Sequence, residues 1–194
     1  MGGVWRYKMG KLILVTGGAR SGKSAYAETL AKTTSRDVMY IATSIPFDEE
    51  MKERVKKHKA RRPSNWGTFE GYMDLKRVFL EKELPFQTVL LDCITIMVTN
   101  LMFEFGGSHV ENLDEEEINK IERKILGEIT EFLDATDLNT ETSILVTNEV
   151  GFGIVPDNKL SRIFRDISGR ANQYIASRAD EVYLIVCGLP IKIK

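Results

Sequence analysis

The stretch LILVT (12–16) runs without interruption into GGARSGKS (17–24), and a helical pattern starts at Ser24. No other feature limits the possible folds of this chain so tightly. A buried strand that ends in glycines and restarts as a helix aims several backbone N–H groups and a helix N-terminus at one point, which then attracts anions. The string matches G-x-x-x-x-G-K-[ST], the phosphate-binding P-loop. In that motif backbone amides surround the phosphates, the lysine reaches the β- and γ-phosphates, and the following hydroxyl ligates Mg²⁺. Gly17, Gly18, Ala19, Arg20, Ser21, Gly22, Lys23 and Ser24 are therefore candidate contacts to a nucleoside triphosphate, with Lys23 catalytic and Ser24 a candidate metal ligand.

Four further β-rich runs follow: DVMYIAT (37–43), TVLLDCIT (88–95), TSILVTN (142–148) and EVYLIV (181–186). Most are apolar on both faces, as strands of a parallel sheet covered by helices must be. Helical patterns over 24–32, 48–59, 71–83, 114–135 and 159–178 alternate with them. In the last, Leu160, Ile163, Phe164, Ile167, Ala171, Tyr174 and Ile175 form one apolar stripe. The fold expected is α/β, a P-loop NTPase-type, mainly parallel sheet flanked by helices. Residues 1–10 read as an extension and 11–194 as a single domain. Residues 104–116 read as an exposed polar loop before a capped helix.

A P-loop needs a second acidic group at the end of a neighbouring strand to organise its metal. Asp92, closing VLLD, is the candidate. Glu149, after the next strand, competes for the same task. No N-K-x-D guanine-reading motif is present, because NKLS (158–161) has serine where the acid belongs. Motifs alone leave the base undetermined.

RVKKHKARRP (54–63) crowds basic residues around His58, one of two histidines in the chain. The net charge is −1, so the run is a local feature and gives no basis for nucleic-acid binding. On a helix over 48–59, Met51, Val55 and His58 share a face while the lysines spread over the rest. Neighbouring cations penalise the imidazolium and keep a free lone pair. Three readings stay open from the residues alone: a covalent nucleophile, a phosphate contact, and a partly buried structural histidine. The two cysteines, Cys93 and Cys187, each lie in an apolar stretch and read as core thiols in a reducing compartment. No run approaches the ~18 apolar residues of a membrane span, and the opening residues lack the apolar core of a signal peptide, so the expected location is cytoplasmic.

Seven strings, in this order, resemble one family: VTGGARSGKS, YIATS, H-K-x-x-R-P-x-x-W over 58–66, CITIMVTNLMFEFGG, VTNEVGFGIVP, FRDISGRANQ and the terminal IKIK. Over about residues 11–194 the chain is similar to the bifunctional adenosylcobinamide kinase/adenosylcobinamide-phosphate guanylyltransferases of cobalamin biosynthesis. The resemblance implies two reactions. A nucleoside triphosphate, GTP or ATP, phosphorylates adenosylcobinamide; GTP then guanylylates a histidine, and the GMP passes to adenosylcobinamide phosphate. The histidine matching the family's guanylylated one is His58. Matching positions add Ala42, Thr43, Ser44, Lys59, Ala60, Arg61, Arg62, Glu70 and Asp92 as nucleotide contacts, and Ser24 and Asp92 as Mg²⁺ ligands. The resemblance also implies a homotrimer. Two departures are visible: Lys57 stands where relatives often carry a second histidine, and Asp92 where they often carry glutamate.

Overall fold

The computed structural model describes residues 10–35, 37–44, 63–80 and 86–194. Its strands are β1 (Lys11–Gly17), β2 (Val38–Ala42), β3 (Gly67–Glu70), β4 (Thr88–Asp92), β5 (Thr142–Val146), β6 (Glu181–Val186) and β7 (Leu189–Lys192). The α-helices are α1 (Lys23–Thr34), α2 (Ile94–Gly106), α3 (Glu115–Asn139) and α4 (Lys159–Arg178). Among the described residues the strands form one seven-stranded sheet in the order β3-β2-β4-β5-β1-β6-β7. Every pairing is parallel except that of β7 with β6.

Alternation along the strands explains their unbroken apolar character. Leu12 and Leu14 of β1 pack with Ile41, Val89, Leu91, Leu145 and Val182 against α2, α3 and α4 on one face. Ile13 and Val15 turn to the other face with Tyr40, Leu90, Ile144, Val146 and Ile185, under Ala27 and Ala31 of α1. With helices on both sides, neither face can be polar. The stripe expected on α4 is there: Ile163, Ile167, Ala171 and Ile175 are buried, with Leu160, Phe164 and Tyr174 packed beside them. Its N-cap is Asn158, whose side chain accepts from Ser161 N at 2.7 Å. At the start of α3, Asp114 and Glu117 cap reciprocally at 2.8 and 3.0 Å, a capping box.

Several local expectations need correction. The run 88–95 was expected to be all strand, yet β4 stops at Asp92 and α2 begins at Ile94. Ile94, Met97, Val98 and Leu101 repeat at helical spacing and all enter the core, and this packing overrides the β-preference of Ile94-Thr95-Ile96. Residues 104–116 are not a uniform polar loop, since α2 extends to Gly106 and Val110 is fully buried. In the described part of 71–83 only a 3₁₀ turn forms, Leu75–Phe79. The helix expected over 48–59 lies outside the described residues. Strands β3 and β7 were not anticipated. Cys93 is a buried free thiol, but Cys187 is exposed.

Cys187 occupies the turn between β6 and β7, where it and Gly188 have φ of 52° and 81°. Positive φ at both central residues matches the twist of an antiparallel hairpin. Pro190, which has no N–H to donate, is tolerated because β7 is the edge strand.

Glu181 fastens this hairpin to the sheet: its carboxylate takes Lys192 at 2.9 Å and Lys11 at 3.0 Å, and Tyr183 donates to it at 2.9 Å. Lys192 first, then Lys11, hold its pKa down to about 2. A carboxyl depressed in the folded state contributes stability that is present above its unfolded pKa and lost as the pH falls through the folded one. Glu181→Gln is therefore expected to lower stability at pH 7 and to flatten the loss of stability between about pH 4.5 and 2, read by urea titration at several pH values. Phe132→Ala, at a fully buried site on α3, is expected to cost about 3–5 kcal/mol in the same assay.

Candidate active site

All the parallel strands end on one edge, and the P-loop opens there. At that edge Gly17 closes β1, and Gly18, Ala19 and Arg20 form an exposed rim before Gly22 starts α1. Gly22 has φ of 97°, and a Cβ there would come within 3.1 Å of the Gly188 backbone, so glycine is required for both conformation and space. The loop is tied on two sides. Glu149 N donates to Gly17 O at 3.2 Å, and Gly188 N donates to Ser21 O at 2.8 Å. Ser21 Oγ is buried with no partner among the described residues. Tyr26 N reaches Gly22 O at 3.0 Å, so the first turn of α1 leaves its leading amides directed at the loop.

The side chain of Lys23 curls back over the loop and donates to Gly18 O at 3.0 Å. Burial lowers its pKa from the ordinary lysine value, while Cys93 and Asp92 pull the other way. Burial also lifts the Cys93 thiol to about 11, so at neutral pH that group carries no charge and Asp92 is the effective counter-charge. Tyr40 Oη donates to Asp92 Oδ2 at 3.2 Å, fixing that carboxylate. The sequence reading had Asp92 on a strand next to β1, but β5 lies between them. Both strands still end on the same edge.

Strand register gathers the other positions. Glu70 pairs with Ala42, Ala42 with Asp92, Asp92 with Val146, and Val146 with Val15. Thus Glu70, Ala42 and Asp92 lie in one row that leads to the P-loop strand. Thr43 follows Ala42 and is fully buried. Its hydroxyl donates to Cys93 O at 2.7 Å and accepts from Cys93 N at 2.9 Å, and its carbonyl accepts from Asn100 Nδ2 at 2.8 Å. With its polar atoms so engaged, Thr43 shapes the edge from behind. Ser44 and Glu70 line an open pocket of about 470 Å³ with Gly71, Tyr72, Met73, Asp74 and Arg77. His58, Lys59, Ala60, Arg61 and Arg62 lie outside the described residues. The chain leaves the described part at Ser44, on this edge, and re-enters it at Pro63, whose carbonyl accepts from Trp66 N at 3.1 Å.

Ser24 at the start of α1 and Asp92 supply hard oxygen donors, the type Mg²⁺ prefers. Mg²⁺ bound to a nucleotide keeps several waters and phosphate oxygens, so one hydroxyl and one carboxylate fit that requirement without an all-protein cage.

Glu149, a competitor of Asp92 for the metal in the sequence, sits in a network of side chains that the sequence does not show. Its Oε1 accepts from Thr16 Oγ1 at 2.9 Å and from Asn172 Nδ2 at 3.4 Å. Thr147 Oγ1 donates to Asn172 Oδ1 at 2.7 Å, and Asn172 Nδ2 also reaches Asn148 O at 3.1 Å. Thr95 Oγ1 accepts from Asn148 N at 2.7 Å. This chain joins the ends of β1 and β5 to α2 and α4. The only local sign of it was an acid three residues beyond an apolar run that ends at Val146, a pattern shared with ordinary turn caps.

Comparison with known proteins agrees with this geometry. The sequence profile described as cobinamide kinase / cobinamide phosphate guanyltransferase matches residues 13–193. The chain is 48% identical over 184 residues to the bifunctional adenosylcobalamin biosynthesis protein CobU of Salmonella typhimurium, covering 94% of this chain and 99% of that one. It is 46% identical over 183 residues to the protein of that name in Escherichia coli K12, with the same coverage. It is 38% identical over 181 residues to the bifunctional adenosylcobalamin biosynthesis protein CobP of Pseudomonas aeruginosa, covering 93% and 96%. The phosphate loop, the row of strand ends beside it and likeness over nearly the whole length lead to one conclusion: this chain belongs to the cobinamide kinase / cobinamide phosphate guanyltransferase family.

Proposed function

We propose that the chain phosphorylates adenosylcobinamide with a nucleoside triphosphate and then moves GMP from GTP, through His58, onto adenosylcobinamide phosphate to give adenosylcobinamide-GDP. The observation that carries this reading is the alignment of Glu70, Ala42 and Asp92 in one row beside the P-loop, in a chain whose relatives are named as bifunctional over nearly their full length. One P-loop serves both reactions. It presents the γ-phosphorus in the kinase step and the α-phosphorus in the transfer step.

The loop amides and Lys23 hold the phosphate oxygens, and their positive ends face the charge that builds up as a phosphoryl group moves. Ser24 and Asp92 would hold Mg²⁺, which supplies charge neutralisation between the phosphates. In the transfer step the neutral imidazole of His58 attacks the α-phosphorus. A P–N bond forms, the α–β anhydride breaks, and pyrophosphate leaves with the bonding pair. A phosphate oxygen of the second substrate then takes the GMP, breaking the P–N bond and returning the imidazole. Lys57, Lys59, Arg61 and Arg62, adjacent in sequence, disfavour the imidazolium and so keep the nucleophile neutral.

The family likeness carries a cytoplasmic homotrimer as part of the same proposal. Phe152, Ile154 and Val155, at 75%, 94% and 62% exposure, supply uncovered apolar surface of the kind an interface buries. Among the described residues no helix is long and apolar enough to cross a membrane.

Incubation with α-labelled GTP is expected to leave an acid-labile, base-stable label on the wild-type chain and none on His58→Ala, which keeps the kinase step. A label of equal intensity on His58→Ala would contradict the covalent route. Lys23→Ala is expected to lower both reactions by about 10²–10³-fold, as loss of a donor to a developing oxyanion does. A loss confined to one reaction would mean that the loop does not serve both.

A further inference from the structure

Glu149 is a carboxylate placed beside a phosphate site. Among the described residues no lysine or arginine lies within ion-pair distance of it. Its backbone N–H is bonded to Gly17 O at 3.2 Å and its Oε1 to the Thr16 hydroxyl at 2.9 Å, so it borders the first residues of the P-loop. An anion there repels a bound triphosphate unless it carries a metal or accepts a proton. Asp92, fixed by Tyr40 and acting as counter-charge to Lys23, already answers the metal requirement. The proton remains.

Glu149 is also held in one orientation. Thr16 and Asn172 both donate to Oε1, and the Asn172 amide is itself fixed, because its Oδ1 accepts from Thr147. Oε2 has no hydrogen-bond partner among the described residues. Two neutral donors on one oxygen orient the group while the second oxygen keeps its lone pairs, as a positioned base requires.

We infer that Glu149 is the general base of the kinase step, its Oε2 taking the proton of the attacking alcohol. This rests on the kinase reading above. As the alcohol oxygen bonds to the γ-phosphorus, its proton passes to Oε2. The bond from the γ-phosphorus to the β–γ bridging oxygen breaks, and the nucleoside diphosphate leaves with that pair. The transfer step makes no such demand, because the His58 imidazole attacks with a lone pair that holds no proton. The two activities should therefore separate at this residue.

The test uses the full chain as wild type, Glu149→Gln and Glu149→Asp, with the kinase followed by γ-labelled GTP and adenosylcobinamide and histidine guanylylation followed by α-labelled GTP. Glutamine keeps an acceptor for Thr16 and Asn172 but is not a base. Its kinase kcat is expected to fall about 10²–10⁴-fold, while its KM for GTP and its rate of guanylylation stay within about threefold of wild type. Aspartate, with a shorter reach, is expected to recover at least about tenfold of the kcat lost by the glutamine variant. Three results would overturn the assignment: a glutamine kcat within about threefold of wild type, an equal fall in both reactions, or an aspartate variant no better than glutamine. Absence of phosphorylated product from the wild type would overturn it together with the kinase reading it rests on.

Discussion

The P-loop holds its shape because two other parts of the chain are hydrogen-bonded to it. Glu149, beyond β5, donates its N–H to Gly17 O; Gly188, in the β6–β7 turn, donates to Ser21 O. Each bond depends on β1 lying between β5 and β6 in parallel register. The loop's amides can point at a phosphate only while neither neighbour shifts. At Gly22 a Cβ would come within 3.1 Å of the Gly188 backbone and press on the hairpin. The β6–β7 hairpin, on the edge of the sheet, is thus a structural part of the site, and the Glu181 cluster that fastens it acts on the phosphate loop at second hand.

This arrangement also divides the charges. Asp92 ends β4, Glu149 follows β5, and Lys23 starts the helix after β1, so two carboxylates and one ammonium meet at one edge while belonging to different segments. Burial penalises the lysine's charge and Asp92 restores part of it, whereas among the described residues Glu149 is oriented by the neutral donors Thr16 and Asn172. A site that must first move a phosphoryl group to an alcohol and then a nucleotidyl group to an imidazole benefits from that division. On the mechanism proposed above, Asp92 would serve both steps through the metal, and Glu149 only the step in which a proton leaves.

The phosphate loop and most of the architecture could be read from the residues because their signals are local. A strand ending in GGARSGKS, apolar runs covered on both faces, and the α4 stripe each lie within a short window. What failed was non-local. The placement of β5 between β1 and β4 is a matter of pairing across more than fifty residues, so Asp92 was assigned to the wrong neighbour. Ile94-Thr95-Ile96 prefers a strand in isolation and becomes helical because Met97, Val98 and Leu101 must reach the core. GTFE, exposed at alternate positions, and LPIK, exposed throughout, are too short to announce β3 and β7. Glu149 reads from sequence only as a competitor of Asp92 for the metal, because its partners Thr16 and Asn172 are distant in the chain. The assignment of His58 comes from resemblance to the family, since the residue lies outside the described part of the structure.

One phosphate cradle per chain, used in turn by both reactions, is the physical idea on which this reading stands. The most direct measurement is calorimetric titration of the wild-type chain with a non-hydrolysable GTP analogue, set beside that analogue's inhibition of each reaction. The expected result is one binding site per chain, with a dissociation constant equal to both inhibition constants. Two sites per chain, or inhibition of one reaction at concentrations that leave the other untouched, would contradict it.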